Sequence, residues 1–253
     1  MSIPRKRFGQ NFLRDSSVIE QILSSINATS DQRLIEVGPG HGALTHGLSL
    51  TDCDLTLIEV DRDLADELRI VFPTARLINQ DVLNVDFSDL GNGPFRIVGN
   101  LPYNISTPLL FKLFTNPALF TDMHFMLQLE VVDRMTASPS TRAYGRLSVM
   151  TQLYCEAEKL FEVPPEAFSP RPKVRSAIVR LRSLGPDIHK PEKLEEVLTT
   201  AFSARRKTVK NALKSLLAEN ELEQLGIDPS LRPENLTPDQ FMDCARQLET
   251  KPS

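Results

Sequence analysis

The chain has 253 residues, of which 41% are hydrophobic and 25% are charged, with a formal net charge of −4 at pH 7. These proportions are typical of a soluble globular protein with one or two domains, and only three widely spaced cysteines argue against a disulfide-built scaffold. No stretch has the roughly 18 consecutive apolar residues that a membrane-spanning helix needs. The cysteines are typical of reduced, structural thiols, so we expect a cytoplasmic protein.

The first two thirds of the chain alternate between helical and strand patterns. A capping box at Ser17 and Glu20 predicts a helix over residues 18–26. Short apolar runs predict strands at residues 33–37, 54–60, 75–79, 95–98 and 123–127. Helical spacing between these runs predicts helices at residues 43–50, 62–71 and 108–114, and a further antiparallel strand pair is predicted at 147–154 and 177–181. Strands that alternate with helices form a parallel sheet covered on both faces, so an α/β fold is predicted.

The pattern changes after residue 184, where apolar residues follow helical spacing almost to the end of the chain. We therefore expect two domains. The first is an α/β domain over residues 1–184, which begins with a basic segment at residues 1–15, and the second is a small all-helical domain over residues 185–253.

A glycine-containing loop follows the first predicted strand of the sheet. Residues 36–42 are Glu-Val-Gly-Pro-Gly-His-Gly, and glycines allow the backbone to approach a ligand closely. Acidic or polar residues follow the next three strands, at Glu59, Asp81 and Asn100. Because open α/β sheets bind ligands at the carboxyl ends of their strands, Glu59 is placed to accept from ribose hydroxyls and Asp81 from an adenine amino group.

The glycine loop by itself fits two cofactor classes. Gly38, Gly40 and Ala43 satisfy a loose form of the dinucleotide-binding pattern, which would suit NAD. Pro39 within the loop, and the lack of a third glycine for a pyrophosphate-bearing helix, favour S-adenosylmethionine. The successive polar strand ends suit the ribose, the adenine and the cationic sulfonium of that cofactor.

The sequence Asn-Leu-Pro-Tyr at residues 100–103 lies between a predicted strand and a predicted helix. Leu101 precedes a proline and is disfavoured in the α region, so its carbonyl is available to a ligand. The Asn100 amide oxygen is a second acceptor, and Tyr103 offers an aromatic face. Two acceptors that hold the hydrogens of an exocyclic amine favour a pyramidal nitrogen whose lone pair points at an electrophile. The tetrapeptide alone also fits an ordinary turn, but beside the polar strand ends it indicates transfer to an adenine amine.

Basic residues cluster near the start of the chain, at 171–182 and at 205–210. Since the total charge is negative, only this distribution argues for a nucleic-acid partner. Each cluster alone is more typical of a solvated face, and three clusters strengthen the electrostatic case. The four histidines form no cluster in the sequence, which predicts neither a metal site nor a histidine base.

These motifs closely resemble those of the rRNA adenine N6,N6-dimethyltransferase family, and most of all its bacterial small-subunit branch. The matching stretches are residues 5–13, 36–40, 58–63, 100–107, 123–128, 143–149, 168–174 and 205–208. The stretch at 100–107 is specific, whereas the glycine loop is not. The resemblance implies a Rossmann-like class I S-adenosylmethionine-dependent methyltransferase fold, with a mostly parallel seven-stranded sheet and a helical C-terminal domain that recognises RNA.

The resemblance also implies roles for individual residues. The implied contacts to S-adenosylmethionine come from Asn11, Leu13, Gly38, Glu59, Asp81 and Asn100. The implied catalytic residues, which hold and stack the target adenine, are Asn100, Leu101, Pro102, Tyr103 and Phe168. The RNA-binding residues are expected to be Arg5, Lys6, Arg7, Arg171, Lys173, Arg205, Arg206, Lys207 and Lys210. An aromatic residue in a Ser-Pro-Arg-Pro loop is not expected in the deep core, although Phe168 could also be a local packing anchor.

The implied activity is dimethylation of two adjacent adenosines in the loop of the 3′-terminal hairpin of 16S rRNA, with a role in late small-subunit biogenesis. The partner is then the small ribosomal subunit or its precursor, and we expect a monomer. Arg175 departs from the family pattern, in which an acidic residue is expected, and we attach no function to it.

Three alternatives compete with this interpretation. The chain could methylate large-subunit rRNA, or it could be an RNA-binding assembly factor for which catalysis is dispensable. An NAD-dependent oxidoreductase ranks far below both, because it would have no use for the amine-holding tetrapeptide.

Overall fold

The computed structural model describes residues 11–102, 104–114, 116–185 and 191–251. Four predicted site residues, Arg5, Lys6, Arg7 and Tyr103, lie outside these ranges. The described residues divide into two compact units, one with those up to Val132 together with 156–185, and the other with Asp133–Cys155 and those after 190. Among the described helices, none combines the length and the hydrophobicity required to span a bilayer.

The first unit is built on a mostly parallel sheet. The strands are β1 (Phe12–Leu13), β2 (Arg33–Val37), β3 (Asp54–Ile58), β4 (Arg76–Ile78), β5 (Phe95–Asn100), β6 (Phe120–Gln128), β7 (Cys155–Val163), β8 (Phe168–Ser169) and β9 (Ser176–Ser183). Seven of them form one sheet in the order β4-β3-β2-β5-β6-β9-β7, and β1 pairs with β8 separately. The neighbours from β4 to β6 are parallel, whereas β9 runs antiparallel to β6. The predicted α/β class and mostly parallel seven-stranded sheet are confirmed.

Helices connect these strands. They are α1 (Ser16–Ile26), α2 (Thr45–Ser49), α3 (Arg62–Val71), α4 (Ser106–Phe114) and α5 (Leu129–Met135). The capping residue predicted for α1 is wrong, because Asp15 rather than Ser17 accepts from the backbone N–H groups of Ser17 and Val18, at 2.9 and 3.2 Å. A carboxylate in extended backbone just before the first turn reaches both donors. Asp61 caps α3, where its side chain accepts from the backbone N–H of Asp63.

The second unit is helical in its described residues. Its helices are α6 (Arg146–Tyr154), α7 (Leu194–Ser203), α8 (Val209–Ala212), α9 (Glu219–Gln224) and α10 (Pro238–Glu249). Residues 147–154, which were predicted to be a strand, form α6. Six of the nine α6 residues are buried, so the burial follows no helical period that the sequence could display. Because α6 packs against α7 and α10, the structure groups Asp133–Cys155 with the C-terminal helices, whereas the sequence analysis assigned everything before residue 185 to the first domain.

The carboxyl ends of β2 and β5 approach each other closely at Gly99. A Cβ on Gly99 would lie 2.5 Å from the carbonyl oxygen of Val37 and 3.2 Å from the Leu101 side chain. Neither backbone can move aside without disturbing the sheet, so only glycine fits the position directly before Asn100.

We predict that Gly99→Ala lowers the free energy of unfolding by about 1–3 kcal/mol, because the new methyl group overpacks the junction of β2 and β5. Denaturant titration measures this change. Gly145→Ala is the matched control, since a Cβ there meets no atom within 4 Å. Equal stability of the two variants would contradict the close approach.

Candidate active site

A cavity of about 340 Å³ lies at the carboxyl ends of β2, β3, β4 and β5. Its volume is within the range of small-molecule sites. It brings together eight residues predicted from the sequence to bind cofactor or base: Asn11, Leu13, Gly38, Glu59, Asp81, Asn100, Leu101 and Pro102. The structure therefore assembles these residues, which are scattered over 92 positions of the chain, around a single cavity.

Glu59 follows β3 and is bound to the glycine loop. Its side chain is 4% exposed, and its two oxygens accept from the backbone N–H groups of Gly40 at 3.2 Å and Asp61 at 2.9 Å. Burial raises the pKa of the Glu59 carboxyl, while these hydrogen bonds oppose the rise. The carboxylate is held in one orientation at the edge of the cavity and keeps acceptor capacity for a ligand.

Glu36, at the start of the glycine loop, is a site residue that the sequence analysis did not single out. It is 2% exposed, lines the cavity and accepts a hydrogen bond from Thr45 Oγ1 at 2.7 Å. Burial raises the pKa of Glu36 to about 7. The hydrogen bond from Thr45 opposes this rise, and the neighbouring charge of Glu59 adds to it. The position of Glu36 at the end of a buried strand was the available signal, since an ionisable residue there is rarely structural.

Asp81 follows β4 and is partly a capping residue. Its Oδ1 accepts from Leu83 N at 2.9 Å and so begins a short 3-10 helix at Val82–Asn84. Its Oδ2 has no hydrogen-bond partner among the described residues, and Asp81 lines the cavity. One oxygen is thus structural and the other is available to a ligand.

Asn100 is the last residue of β5, and its side chain is oriented from a distant part of the chain. Its Nδ2 donates to the carbonyl oxygen of Asn11 at 2.9 Å, which leaves Oδ1 as the acceptor of the amide. Leu101 N continues the sheet by donating to Met126 O at 3.2 Å, whereas the Leu101 carbonyl has no hydrogen-bond partner among the described residues. The two acceptors predicted from the sequence are therefore adjacent at the cavity rim.

The N-terminal segment lies against the glycine loop. Phe12 contacts the His41 ring at a centroid distance of 4.6 Å, and a Cβ on Gly40 would be 3.1 Å from the Phe12 ring. In the β1–β8 ladder Leu13 pairs with Phe168. This ladder accounts for the burial of the Phe168 side chain, which is 6% exposed in a hydrophobic cluster with Leu13, so the expectation that it would lie outside the core is wrong.

Several of the basic residues predicted to contact RNA form ion pairs within the protein. Arg171 pairs with Glu166, and Lys210 pairs with Glu219 at 3.1 Å. Arg205 pairs with Glu234 at 2.6 Å and also donates to the carbonyls of residues 141 and 142. Of the described residues predicted to contact RNA, three are exposed and form no ion pair within the described ranges: Lys173, Arg206 and Lys207.

The cavity combines hydrogen-bond acceptors with buried acids. The described residues contain no group of three or more His, Cys, Asp or Glu side chains that could hold a metal ion. The polar groups of the site are mainly side-chain carboxylates, the Asn100 amide and a backbone carbonyl. Such acceptors position hydroxyls and amines and stabilise positive charge. The arrangement suits transfer from a cationic donor to an amine.

Sequence comparisons identify relatives of nearly the same length. In one from Pseudomonas fluorescens, "Ribosomal RNA small subunit methyltransferase A", 50% of residues are identical over 98% of this chain and 95% of the relative. In one of the same name from Klebsiella pneumoniae, 46% are identical over 97% of this chain and 93% of the relative.

Solved structures show the same fold. The structure of the 23S rRNA methyltransferase ErmE matches with a TM-score of 0.71 and 28% identity, over 95% of this chain and all of that chain. A dimethyladenosine transferase from Plasmodium falciparum matches with a TM-score of 0.81 and 24% identity, over 94% and 97% of the two chains. The family model described as "Ribosomal RNA adenine dimethylase" matches residues 1–250. On these matches and the assembled site, the chain belongs to the ribosomal RNA adenine dimethylase family.

Proposed function

We propose that this chain transfers methyl groups from S-adenosylmethionine to N6 of two adjacent adenosines in the loop of the 3′-terminal hairpin of 16S rRNA, late in small-subunit biogenesis. Family membership establishes the reaction class, S-adenosylmethionine-dependent dimethylation of rRNA adenine. The observation that carries the proposed mechanism is the pair of acceptors at the cavity rim, the Asn100 amide oxygen and the Leu101 carbonyl.

The identity of the substrate RNA rests on the strength of the resemblances. The relatives named as small-subunit enzymes are 50% and 46% identical over nearly the whole chain, whereas the 23S enzyme is 28% identical. This difference favours the small subunit over the large subunit.

The cavity fits S-adenosylmethionine. Gly38 has a φ of 66°, so the loop backbone turns without a side chain that would fill the cavity. Glu59 is proposed to accept from the ribose hydroxyls, Asp81 Oδ2 from the adenine amino group, and residues 11 and 13 to contact the cofactor from the N-terminal segment. When bound, the cofactor supplies an electrophilic methyl group on a positively charged sulfur.

The two rim acceptors are proposed to act on the target amine. An adenine amino group is a poor nucleophile because its lone pair is delocalised into the ring. Asn100 Oδ1 and the Leu101 carbonyl accept its two hydrogens and favour a pyramidal nitrogen, which is stabilisation specific to the transition state. Because the leaving group is neutral, these residues supply position and electrostatics, and no side-chain nucleophile is needed.

Stacking is proposed to hold the base. Tyr103 is the expected partner on one face, and Phe168 on the other, each contributing roughly 1–3 kcal/mol for a stacked base. Since Phe168 is 6% exposed, its stacking requires the β1–β8 ladder to shift when the base enters. The target adenines would reach the cavity unstacked from an RNA loop, where flipping is least costly.

RNA binding is proposed to use Lys173, Arg206 and Lys207, three exposed cations without ion pairs in the described part of the chain, together with the basic residues of the N-terminal segment. Phosphate contacts of this kind weaken as salt rises. Arg171, Arg205 and Lys210 would have to exchange their protein partners for phosphates. The helices after residue 185 are proposed as an RNA-recognition domain in a monomeric, cytoplasmic enzyme.

Asn100→Ala is predicted to lower kcat for methyl transfer about 100-fold, because one of the two amine acceptors is lost. Binding to small subunits is expected to stay within about twofold, since that affinity comes from phosphate contacts elsewhere. Transfer of radiolabelled methyl groups and subunit co-sedimentation measure the two effects. The matched control is Asn84→Ala, at an exposed residue outside the cavity. Methyl transfer by Asn100→Ala at the control rate would contradict the amine-holding role.

The choice of ribosomal subunit is tested with purified 30S and 50S subunits that lack the modification. We expect methyl incorporation into 16S rRNA, at two adjacent adenosines identified by mass spectrometry of nuclease fragments. Incorporation only into 23S rRNA would contradict the proposed substrate while leaving the reaction class intact.

The raised pKa of Glu36 predicts a pH-dependent affinity for S-adenosylmethionine. A cationic ligand favours the ionised carboxylate, so binding strengthens as pH rises through about 7. Between about pH 6 and pH 8 the gain in affinity is expected to be up to about tenfold larger in the wild type than in Glu36→Gln, which keeps an acceptor for Thr45. Calorimetric titration measures the affinity of both proteins at each pH. The variant corrects for titration of the cofactor's own amino group. Identical pH profiles would contradict a role for Glu36 in binding the cation.

A further inference from the structure

A second cleft, of about 800 Å³, opens at the amino ends of β5 and β6. The candidate active site occupies the opposite, carboxyl ends of the parallel strands. The family match and the mechanism proposed above assign no role to this second cleft.

The face of the sheet beneath this cleft is polar. Asp122 on β6 pairs in register with Arg96 on β5 and with Arg182 on β9, and His124 pairs with Arg180. Because side chains two residues apart on a strand share a face, all five project from the same side of the sheet. The inner strands of such a sheet are usually apolar on both faces. The hydrogen-bond partners of these five polar residues therefore need to be identified.

Only part of the group is satisfied within the protein. Arg96 and Asp122 form a two-pronged ion pair, with Nε–Oδ1 at 2.7 Å and a terminal nitrogen on Oδ2 at 2.9 Å. Arg180 pairs with Glu158 through a terminal nitrogen, but its Nε is buried and has no hydrogen-bond partner in the described part of the chain.

His124 is the most deeply buried of these side chains, 2% exposed, and lines the cleft. Neither ring nitrogen has a hydrogen-bond partner within the described ranges, and its Nδ1 is 3.8 Å from Asp122 Oδ2, too far for a hydrogen bond. Two neighbouring strands therefore hold unpaired, buried polar atoms beneath the same cleft.

Arginines are the commonest charged residues in the lining of the cleft. Within the described chain the charged lining residues are Arg33, Arg96, Arg180, Arg182, Asp31 and Asp122. Each arginine also forms an ion pair: Arg33 with Asp54, Arg96 with Asp122, Arg180 with Glu158 and Arg182 with Glu156. Burial lowers the pKa of His124 to about 4; the charge of Asp122 and the nearby Ser25 backbone oppose this fall, and the charges of Arg96 and Arg180 add to it. At neutral pH the imidazole is thus uncharged, with one donor and one acceptor nitrogen.

We propose that this cleft binds a phosphate group, held by Arg180 Nε and a ring nitrogen of His124, with the half-exposed Arg182 guanidinium at the cleft mouth. A tetrahedral phosphate has enough oxygens to accept from donors on both strands at once, and arginine binds it with charge-assisted hydrogen bonds. A free phosphate monoester and an RNA backbone phosphodiester share this chemistry. The proposal does not depend on the methyl-transfer mechanism.

Calorimetric titration of the full chain tests the site, with inorganic phosphate as one probe and dimethyl phosphate, a phosphodiester mimic, as the other. Ionic strength is held constant with chloride, at about pH 7.5 so that the imidazole is neutral. We expect one saturable site for phosphate, weakened about tenfold or more by Arg180→Gln. Arg175→Gln is the matched control, because this substitution also removes one positive charge and one ion pair with a glutamate, at a residue outside the cleft. The control should change the affinity by less than about twofold.

His124→Phe, which keeps a ring but removes both nitrogens, should also weaken binding, and thermal unfolding checks that each variant is folded. Saturable binding of both probes, with the same dependence on Arg180, supports an RNA backbone phosphate as the ligand. Binding of inorganic phosphate alone supports a free or terminal phosphate. Absence of saturable binding in the wild type, or equal losses in Arg180→Gln and Arg175→Gln, would overturn the proposal.

Discussion

The hydrogen bond from Asn100 Nδ2 to the carbonyl of Asn11 is the contact on which the candidate site depends. It joins residues 89 positions apart and selects which end of the Asn100 amide is left as an acceptor. Gly99 and the sheet register bring the end of β5 to this point, and the β1–β8 ladder brings the N-terminal segment there. If Asn11 moved away, the amide could rotate, and the two acceptors at the rim would no longer be aligned for an amine. On the proposed mechanism, cofactor contact and amine orientation would thereby be coupled through one short segment.

Electrostatics divides the sheet into two different environments. At its carboxyl edge, Glu36 and Glu59 are buried near each other, and the charge of Glu59 adds to the cost of ionising Glu36. No Lys or Arg is among the described residues that line this cavity. A cationic cofactor relieves that cost. At its amino edge, arginines paired with acids surround unpaired polar atoms of Arg180 and His124 beneath a second cleft, which is proposed to bind an anion. On these two proposals, the opposite ends of one sheet would bind ligands of opposite charge.

The sequence predicted the site better than it predicted the contacts that hold the site together. The positions of Glu59, Asp81 and Asn100 could be inferred because each follows a strongly apolar run, and parallel strands place such ends at one edge. The strand assignment for residues 147–154 failed because α6 is buried on most sides and displays no helical period. The burial of Phe168 and the bond from Asn100 to Asn11 were not predictable, because both arise from pairing between segments far apart in the chain. The cleft around His124 depends on the register of β6 and β9, which cannot be inferred from the sequence pattern of either strand alone.

The most direct measurement is a crystal structure of the chain with a non-reactive S-adenosylmethionine analogue and an RNA that contains the target hairpin. The account predicts one adenine flipped into the cavity, with N6 about 3 Å from both Asn100 Oδ1 and the Leu101 carbonyl oxygen. An adenine whose N6 contacts other groups, with Asn100 still bound to Asn11, would contradict it.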